Sequence, residues 1–184
     1  MNNIRAVYDE ETITIYQAYN KSIAESAVAN QKFVSPPFKI ERMTWIKPSF
    51  LWMMYRSGWA SKDGQEHVLA IKIKRTGFQW ALDNSCLSHF DENIHSSFEA
   101  WQKNLRSSPV RIQWDPERDI YMNKLEYRSL QIGLSGIAVE KYISEWIVSI
   151  EDITPFCKQI HSLISINSEE AIKNLPPERL FISG

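Results

Sequence analysis

An aromatic and basic segment at residues 42–59, RMTWIKPSFLWMMYRSGW, constrains the fold more than any other part of the sequence. Pro48 suits the first turn of a helix and Gly58 can end it. The apolar side chains of that helix fall on two faces, with Phe50, Met53 and Met54 on one and Trp52, Tyr55, Arg56 and Trp59 on the other. Because a helix with two apolar faces must be covered on most sides, we expect it at the centre of the fold.

Strand and helix patterns alternate along the rest of the chain. Residues 68–74, VLAIKIK, show the alternation of a strand with one solvated face. By the same reasoning we predict strands at 4–8, 12–19, 43–46, 68–74, 110–114 and 126–134, and helices at 20–31, 48–58, 78–82, 98–105, 135–150 and 154–164. This order predicts one α+β domain at 1–175, with small antiparallel or mixed sheets and packed helices, followed by a C-terminal tail at 176–184.

Local signals refine these predictions. Asn20 and Ser135 are expected to cap the helices that follow them. Asp9, Glu10 and Glu11 form a predicted turn, so the two opening strands are either a hairpin or one bent strand. Residues 83–108 contain few periodic apolar positions, and we predict a largely irregular lid or variable loop there.

Composition excludes several classes of function. The 184 residues carry a formal net charge of −1, so any binding of phosphate must come from a local patch. Cys86 and Cys157 lie far apart, and the four histidines lack metal-binding spacing, so neither a disulfide framework nor a metal is expected. The polar N-terminus and the lack of a long apolar run predict a cytoplasmic protein without membrane contact.

The strongest candidate for a ligand site lies within residues 42–59. Arg42, Lys47 and Arg56 accompany four aromatic side chains, a combination that stacks a planar ring and neutralises a phosphate. Ordinary core packing explains Phe50, Trp52 and the methionines equally well, but it explains the basic residues less well. A nucleotide-like ligand is therefore indicated.

Two strands carry polar side chains on one face. Within 126–134, Tyr127, Ser129 and Gln131 alternate against apolar positions, which is typical of either a solvated edge or the wall of a ligand cleft. In the opening strand, Gln17 lies between Tyr16 and Tyr19 as either a surface amide or a ligand contact. The sequence leaves both pairs of alternatives open.

Several segments resemble a known family almost from end to end. They are IRAVYDEETITIYQAY, PPFKIERMTWIKPSFLWMMYRSGWA, VRIQWDPERD, YRSLQIGLSG and EWIVSIEDIT, and they are similar to the family called domain of unknown function 4291. The resemblance covers roughly residues 4–155 and implies no activity.

The order of elements also resembles the ADP-ribosyltransferases, which hold NAD in a cleft between two small sheets. This resemblance implies a first position at Gln17, a second at Ser49 and Tyr55, and a third at Glu126 or Gln131, with Gln17, Tyr55 and the third residue as the catalytic ones. It implies NAD contacts at Tyr16, Trp45, Lys47, Ser49, Arg56, Arg128 and Ser129. Gln17 departs from the family's His or Arg, and Gln131 would supply no carboxylate for an oxocarbenium-like transition state.

The first functional hypothesis is therefore an NAD-binding, ADP-ribosyltransferase-like protein that transfers ADP-ribose to a nucleic-acid or protein acceptor. The second is a non-catalytic module that binds RNA or another nucleic acid through the aromatic and basic surface together with Arg111, Arg118 and Arg128. A third is an interaction domain without a ligand. The sequence leaves the oligomeric state open.

Overall fold

The computed structural model describes residues 2–182. Its strands are β1 Arg5–Ala6, β2 Thr12–Tyr19, β3 Thr44–Ile46, β4 His67–Lys74, β5 Ser85–Leu87, β6 Val110–Arg118, β7 Lys124–Leu134, β8 Ile147–Asp152 and β9 Arg179–Leu180. Its helices are α1 Lys21–Asn30, α2 Phe50–Ser57, α3 Arg75–Asp83, α4 Phe98–Ser107, α5 Ile137–Lys141, α6 Thr154–Ile166 and α7 Ser168–Lys173, and a π-helical turn at Tyr142–Trp146 follows α5. The predicted α+β class is confirmed. No helix within residues 2–182 is long and apolar enough to cross a membrane.

The first sheet is antiparallel, with the strand order β2-β4-β8. In β4, Leu69, Ile71 and Ile73 are buried while Lys72 and Lys74 are exposed, as the alternation predicted. Ile13 and Ile15 of β2 are also fully buried. The central strand therefore contributes its apolar face to the main core and leaves its lysines in solvent.

The second sheet has the strand order β3-β7-β6-β5 and is antiparallel except for the parallel pair β5-β6. Leu130, Ile132 and Leu134 of β7 are fully buried in the main core. The two sheets meet where Tyr16 of β2 and Lys47, just after β3, form a bridge. Tyr16 N–H donates to Lys47 O at 2.7 Å, and Lys47 N–H donates to Tyr16 O at 3.3 Å. This bridge fixes the side chains of both strands at the junction of the sheets.

Helix α2 begins at the junction and is central, as predicted. Its first residue is Phe50, and not Pro48 as expected, because Ser49 is the N-cap and its Oγ accepts from Trp52 N–H at 3.1 Å. Gly58 ends the helix in the left-handed conformation, with φ 58°, which glycine adopts without strain. Phe50, Trp52, Met53 and Met54 are buried, whereas Tyr55 and Arg56 are exposed.

The prediction of one helix at 135–150 is wrong in its last four residues, 147–150. Helical structure ends at Trp146, and Ile147–Asp152 is a strand that pairs with β4, with Ile150 opposite Ile71. The spacing of Ile147 and Ile150 fits a helix, but hydrogen bonds to a distant strand stabilise the extended form. Ser135 does not cap the helix, because its Oγ donates to Pro109 O at 3.0 Å.

The chain ends lie together. The predicted turn after the first strand forms, with Asp9 Oδ1 accepting from Thr12 N–H at 2.6 Å. However, β1 pairs with β9, and the contact to β2 is limited to the bridge between Tyr8 and Ile13. Part of the expected tail is thus paired with the N-terminal strand, while residues 183 and 184 lie outside the described residues.

The segment 83–108 is only partly irregular. It contains the short edge strand β5 and helix α4, whose N-cap is Ser97. Trp101 Nε1 donates to Leu87 O at 3.0 Å, which attaches α4 to β5. The predicted helix near 98–105 is confirmed.

Candidate functional site

A pocket of about 770 Å³ lies at the junction of the two sheets. Its lining includes Gln17, Arg42, Trp45, Lys47, Arg56, Gln113 and Gln131. They come from β2, the loop after α1, β3, α2, β6 and β7, so the pocket depends on the packing of both sheets. A cavity of this size suits a ligand as large as a nucleotide.

Lys47 carries the buried amine of the pocket. The residue is 6% exposed, and its Nζ donates to Trp45 O at 3.3 Å. Within residues 2–182, no carboxylate forms an ion pair with it. Burial, and next the positive charge of Arg56, lower the pKa of Lys47 from 10.5 to about 7, against the opposing charge of Asp115. A large fraction of this amine is therefore neutral at neutral pH.

Two amides hold a carboxylate beside the pocket. Gln131 Nε2 donates to Asp115 Oδ2 at 2.6 Å, and Gln113 Nε2 donates to Asp115 Oδ1 at 3.1 Å. Gln113 and Gln131 are opposite each other in the β6-β7 ladder, so their side chains lie on the same face. Asp115 follows two residues later on that face. A carboxylate with fixed orientation thus lies behind two amides of the pocket wall, while Asp63 lines the pocket itself.

Gln17 lines the same pocket but is occupied by the protein. Its Nε2 donates to Tyr19 Oη at 2.9 Å and to Trp45 O at 3.2 Å, and its Oε1 accepts from Tyr142 Oη at 2.7 Å. The side chain is 3% exposed. Both amide protons are satisfied, so Gln17 positions β2 and β3 and has one oxygen lone pair left for a ligand.

Arg42 and Arg56 form an exposed cationic rim. Arg56 lies in the last turn of α2, and Arg42 lies in the loop before β3. Neither guanidinium makes an ion pair with a carboxylate in the described part of the chain. Together with Lys39 and Lys47 they give one pocket four basic side chains, although the chain as a whole is nearly neutral.

Five of the predicted site residues come together in this pocket: Gln17, Trp45, Lys47, Arg56 and Gln131. Six others do not line it: Tyr16, Ser49, Tyr55, Glu126, Arg128 and Ser129. The functional roles predicted for all of them stay predictions.

The six predicted site residues that do not line the pocket have other surroundings. Tyr55 stacks on Trp52, with ring centroids 5.0 Å apart, and Arg118 Cζ lies 3.7 Å from the Tyr55 ring centroid. Tyr16 packs against Phe50. Arg128 Nη1 donates to Trp114 O at 2.9 Å, and Glu126 is exposed near the start of β7. Tyr16 is therefore part of the core, and the other side chains lie on surfaces other than the pocket wall.

Ser49 and Ser129 belong to a second buried polar cluster. Ser49 Oγ donates to Glu117 Oε1 at 3.0 Å, and Ser129 also hydrogen-bonds the Glu117 carboxylate. Burial raises the pKa of Glu117, against hydrogen bonds from Arg118 N–H and these two hydroxyls. Glu178 Oε1 accepts from Phe50 N–H at 2.6 Å. The cluster thus connects the start of α2 to β6, β7 and the C-terminal segment.

The alternative nucleic-acid surface is dispersed. Arg111, Arg118 and Arg128 do not line the pocket. Arg118 is 8% exposed and donates to Met122 O at 3.1 Å, so its guanidinium serves the loop after β6. Within residues 2–182 no group of His, Cys, Asp and Glu side chains is arranged to hold a metal ion.

Sequence reasoning missed Asp115 and Gln113. Their signal was the alternation of Arg111, Gln113 and Asp115 against Ile112 and Trp114, which marks a polar face of β6. The pairing of that face with the polar face of β7 was the missing information.

The comparisons with known proteins identify a family. No curated protein matches the chain. The family model described as Domain of unknown function (DUF4291) matches residues 3–181. The match confirms the first resemblance, while the resemblance to ADP-ribosyltransferases stays a prediction. Because the match spans nearly the whole sequence, the chain belongs to the DUF4291 family.

Proposed function

We propose that the pocket binds a nucleotide, with NAD as the first ligand to test. The observation that carries this proposal is the convergence of Arg42, Lys47 and Arg56 on one pocket without ion-pair partners in the described residues. Guanidinium groups bind phosphate oxygens in bidentate fashion, and the Trp45 side chain offers a surface for a planar base. A pyrophosphate is the ligand group that best compensates this local charge.

Transfer of the ADP-ribosyl group is the reaction proposed for the site. Cleavage of the bond between nicotinamide and ribose develops positive charge on the ribose, and a fixed carboxylate stabilises that charge. Asp115 does not itself line the pocket, but it accepts hydrogen bonds from the lining amides of Gln113 and Gln131 and is the carboxylate that we assign to this role. In this proposal Gln131 occupies the third position by orienting Asp115, and the bond to nicotinamide is replaced by a bond to an acceptor nucleophile.

Calorimetry with NAD tests the binding proposal. We expect Arg56→Ala and Arg42→Ala each to weaken binding about tenfold, since each removes one charge-assisted contact to phosphate. Tyr55→Ala and Arg128→Ala are matched controls outside the pocket and are expected to bind as the wild type does. Absence of heat with the wild type, or equal loss in the controls, would contradict the proposal.

Release of nicotinamide from NAD tests the reaction. Asp115→Asn keeps the shape of the side chain and removes its charge, so we expect NAD to bind while nicotinamide release falls by about a hundredfold or more. Glu126→Gln is the control, because Glu126 is exposed and outside the pocket. Equal rates for wild type and Asp115→Asn would show that Asp115 has no part in the reaction.

A further inference from the structure

The amine of Lys47 differs from the other lysines of the chain by its position. It is buried, lines the pocket and has, among the residues that the structure describes, a single hydrogen-bond partner, the carbonyl of Trp45. Lys39 also lines the pocket but is exposed. A buried lysine is ordinarily paired with a carboxylate, and Lys47 lacks such an ion pair within residues 2–182. The N–H and the carbonyl of Lys47 are both hydrogen-bonded to Tyr16. The backbone of Lys47 is therefore held in place, and its amine has a fixed direction of approach.

The charged groups around Lys47 favour its neutral form. Arg56 of α2 and Arg42 of the loop before β3 are cations of the same pocket, and Asp63 is an acidic residue that lines it. Asp115 of β6 opposes the two arginines, but its carboxylate is already bonded by two amides. Desolvation next to another cation is the arrangement that makes a lysine amine nucleophilic at neutral pH.

We propose that Lys47 is a nucleophile that forms an imine with the aldehyde of a phosphorylated ligand, such as an open-chain sugar phosphate. The Nζ lone pair attacks the carbonyl carbon, and the carbonyl π electrons move to oxygen. The carbon–oxygen bond then breaks, and the oxygen leaves as water with the two amine protons. One carbon–nitrogen double bond has formed, and no oxidant or reductant is needed.

The ligand class follows from the same pocket. An aldehyde within reach of Lys47 places its phosphate toward the rim formed by Arg42 and Arg56, whose guanidinium groups form no ion pair within residues 2–182. The inference rests on the proposed function only for this recognition of phosphate. The imine chemistry depends on Lys47 itself and not on NAD.

Reductive trapping with pyridoxal 5′-phosphate tests the inference. This phosphorylated aldehyde is incubated with the full chain at pH 7, the imine is reduced with borohydride, and the modified lysine is located by peptide mass spectrometry. We expect Lys47 to be modified at least about tenfold faster than Lys39, because burial beside Arg56 leaves much of the Lys47 amine neutral and nucleophilic. Lys47→Met should lose this fast modification, and Lys39→Met should retain it.

Two further measurements test the recognition of phosphate and the ionisation of Lys47. Pyridoxal without phosphate should modify Lys47 more slowly than the phosphorylated aldehyde, which tests the arginine rim. The rate at Lys47 should rise with pH through a midpoint near 7, as its pKa of about 7 requires. Modification of Lys47 no faster than of Lys39 would overturn the inference even if NAD binds. Fast modification without NAD binding would leave the inference standing and overturn the proposed function.

Discussion

Lys47 couples ionisation to folding at the level of a single residue. Its pKa is about 7 in the folded protein and 10.5 ordinarily, so between these values the unfolded chain holds the proton that the folded chain has lost. Stability therefore rises with pH across this window, and below pH 7 the buried charge destabilises the fold. We expect Lys47→Met to be more stable than the wild type at pH 6, by about 2 kcal/mol.

Denaturant unfolding at pH 6 and at pH 10 measures this effect. The advantage of Lys47→Met should shrink at the higher pH, where the wild-type amine is neutral in the folded state and losing its proton in the unfolded state. Lys72→Met, on the solvated face of β4, is the control for a general loss of charge. An advantage that grows with pH would contradict the burial of a lysine cation.

Glu178 has the opposite dependence on pH. Burial raises its pKa to about 8, the hydrogen bond from Phe50 N–H opposes the shift, and the charge of Glu117 adds to it. Between pH 4.5 and 8 the folded chain holds a proton that the unfolded chain has lost, so this group makes stability fall as pH rises. Glu178→Gln keeps an acceptor for Phe50 N–H and should be more stable at pH 8 by about 1–2 kcal/mol.

Thermal unfolding between pH 5 and pH 8 checks this prediction. The wild type should lose more stability than Glu178→Gln over that range, and Glu126→Gln, an exposed glutamate of β7, should behave as the wild type does. A steeper loss in Glu178→Gln would show that Glu178 is ionised in the folded protein.

At the level of elements, α3 and the π-helical turn pack so closely that the position of Gly77 has no room for a side chain. A Cβ added at Gly77 would lie 2.6 Å from Trp146 Cδ1. Although alanine is the better helix former, we expect Gly77→Ala to cost about 1–3 kcal/mol because the indole ring must move. Thr76→Ala, an exposed position on the same helix, should cost less than about 0.5 kcal/mol.

Chemical denaturation of both variants supplies the comparison. Adding Trp146→Phe to Gly77→Ala should cost less than the two single changes together, since the smaller ring removes the clash. If the free-energy losses of the two single variants simply add in the double variant, the destabilisation by Gly77→Ala does not come from its contact with Trp146.

Elements with a strong local signal were predictable from the sequence. Strand β4 followed from alternating lysines and β-branched residues, and α1 followed from Asn20, whose Oδ1 accepts from Ile23 N–H at 3.0 Å. Strand β8 was not predictable, because Ile147 and Ile150 suit a helix and the extended form comes from pairing with β4. Local periodicity cannot distinguish the two when the deciding hydrogen bonds are distant in sequence.

The candidate site shows the same limit. Lys47 and Arg56 were predictable because they lie within one unusual segment, and Gln131 because its strand alternates. Asp115 was missed, since its place beside Lys47 depends on the register of β6 against β7 and on the bridge between the sheets. Tyr55 lies on another surface because the turn geometry of α2 directs Arg56, and not Tyr55, to the pocket.

At the scale of the whole molecule, the C-terminal segment closes the fold. Tyr8 Oη donates to Leu180 O at 2.7 Å, Phe181 N–H donates to Ile4 O at 2.8 Å, and the Phe181 ring packs against Phe78 with centroids 5.2 Å apart. Removal of residues 176–184 also deletes Glu178. We expect this truncation to lower the free energy of unfolding by about 3 kcal/mol or more.

The melting temperature of the truncated chain tests this prediction. A chain that ends at residue 182 is the matched control, because it keeps all of these contacts. Its melting temperature should equal that of the full-length chain. An unchanged melting temperature after removal of 176–184 would show that the segment is a tail without a part in the fold.

The pocket is a property of the whole molecule as well, since both sheets and α2 contribute to it. A crystal structure of the chain grown with saturating NAD tests its assignment most directly. We predict NAD in this pocket, with its pyrophosphate beside Arg42 and Arg56 and its nicotinamide ribose toward Asp115. NAD bound on the face of Tyr55 and Trp52, or a pocket without NAD in those crystals, would contradict the account.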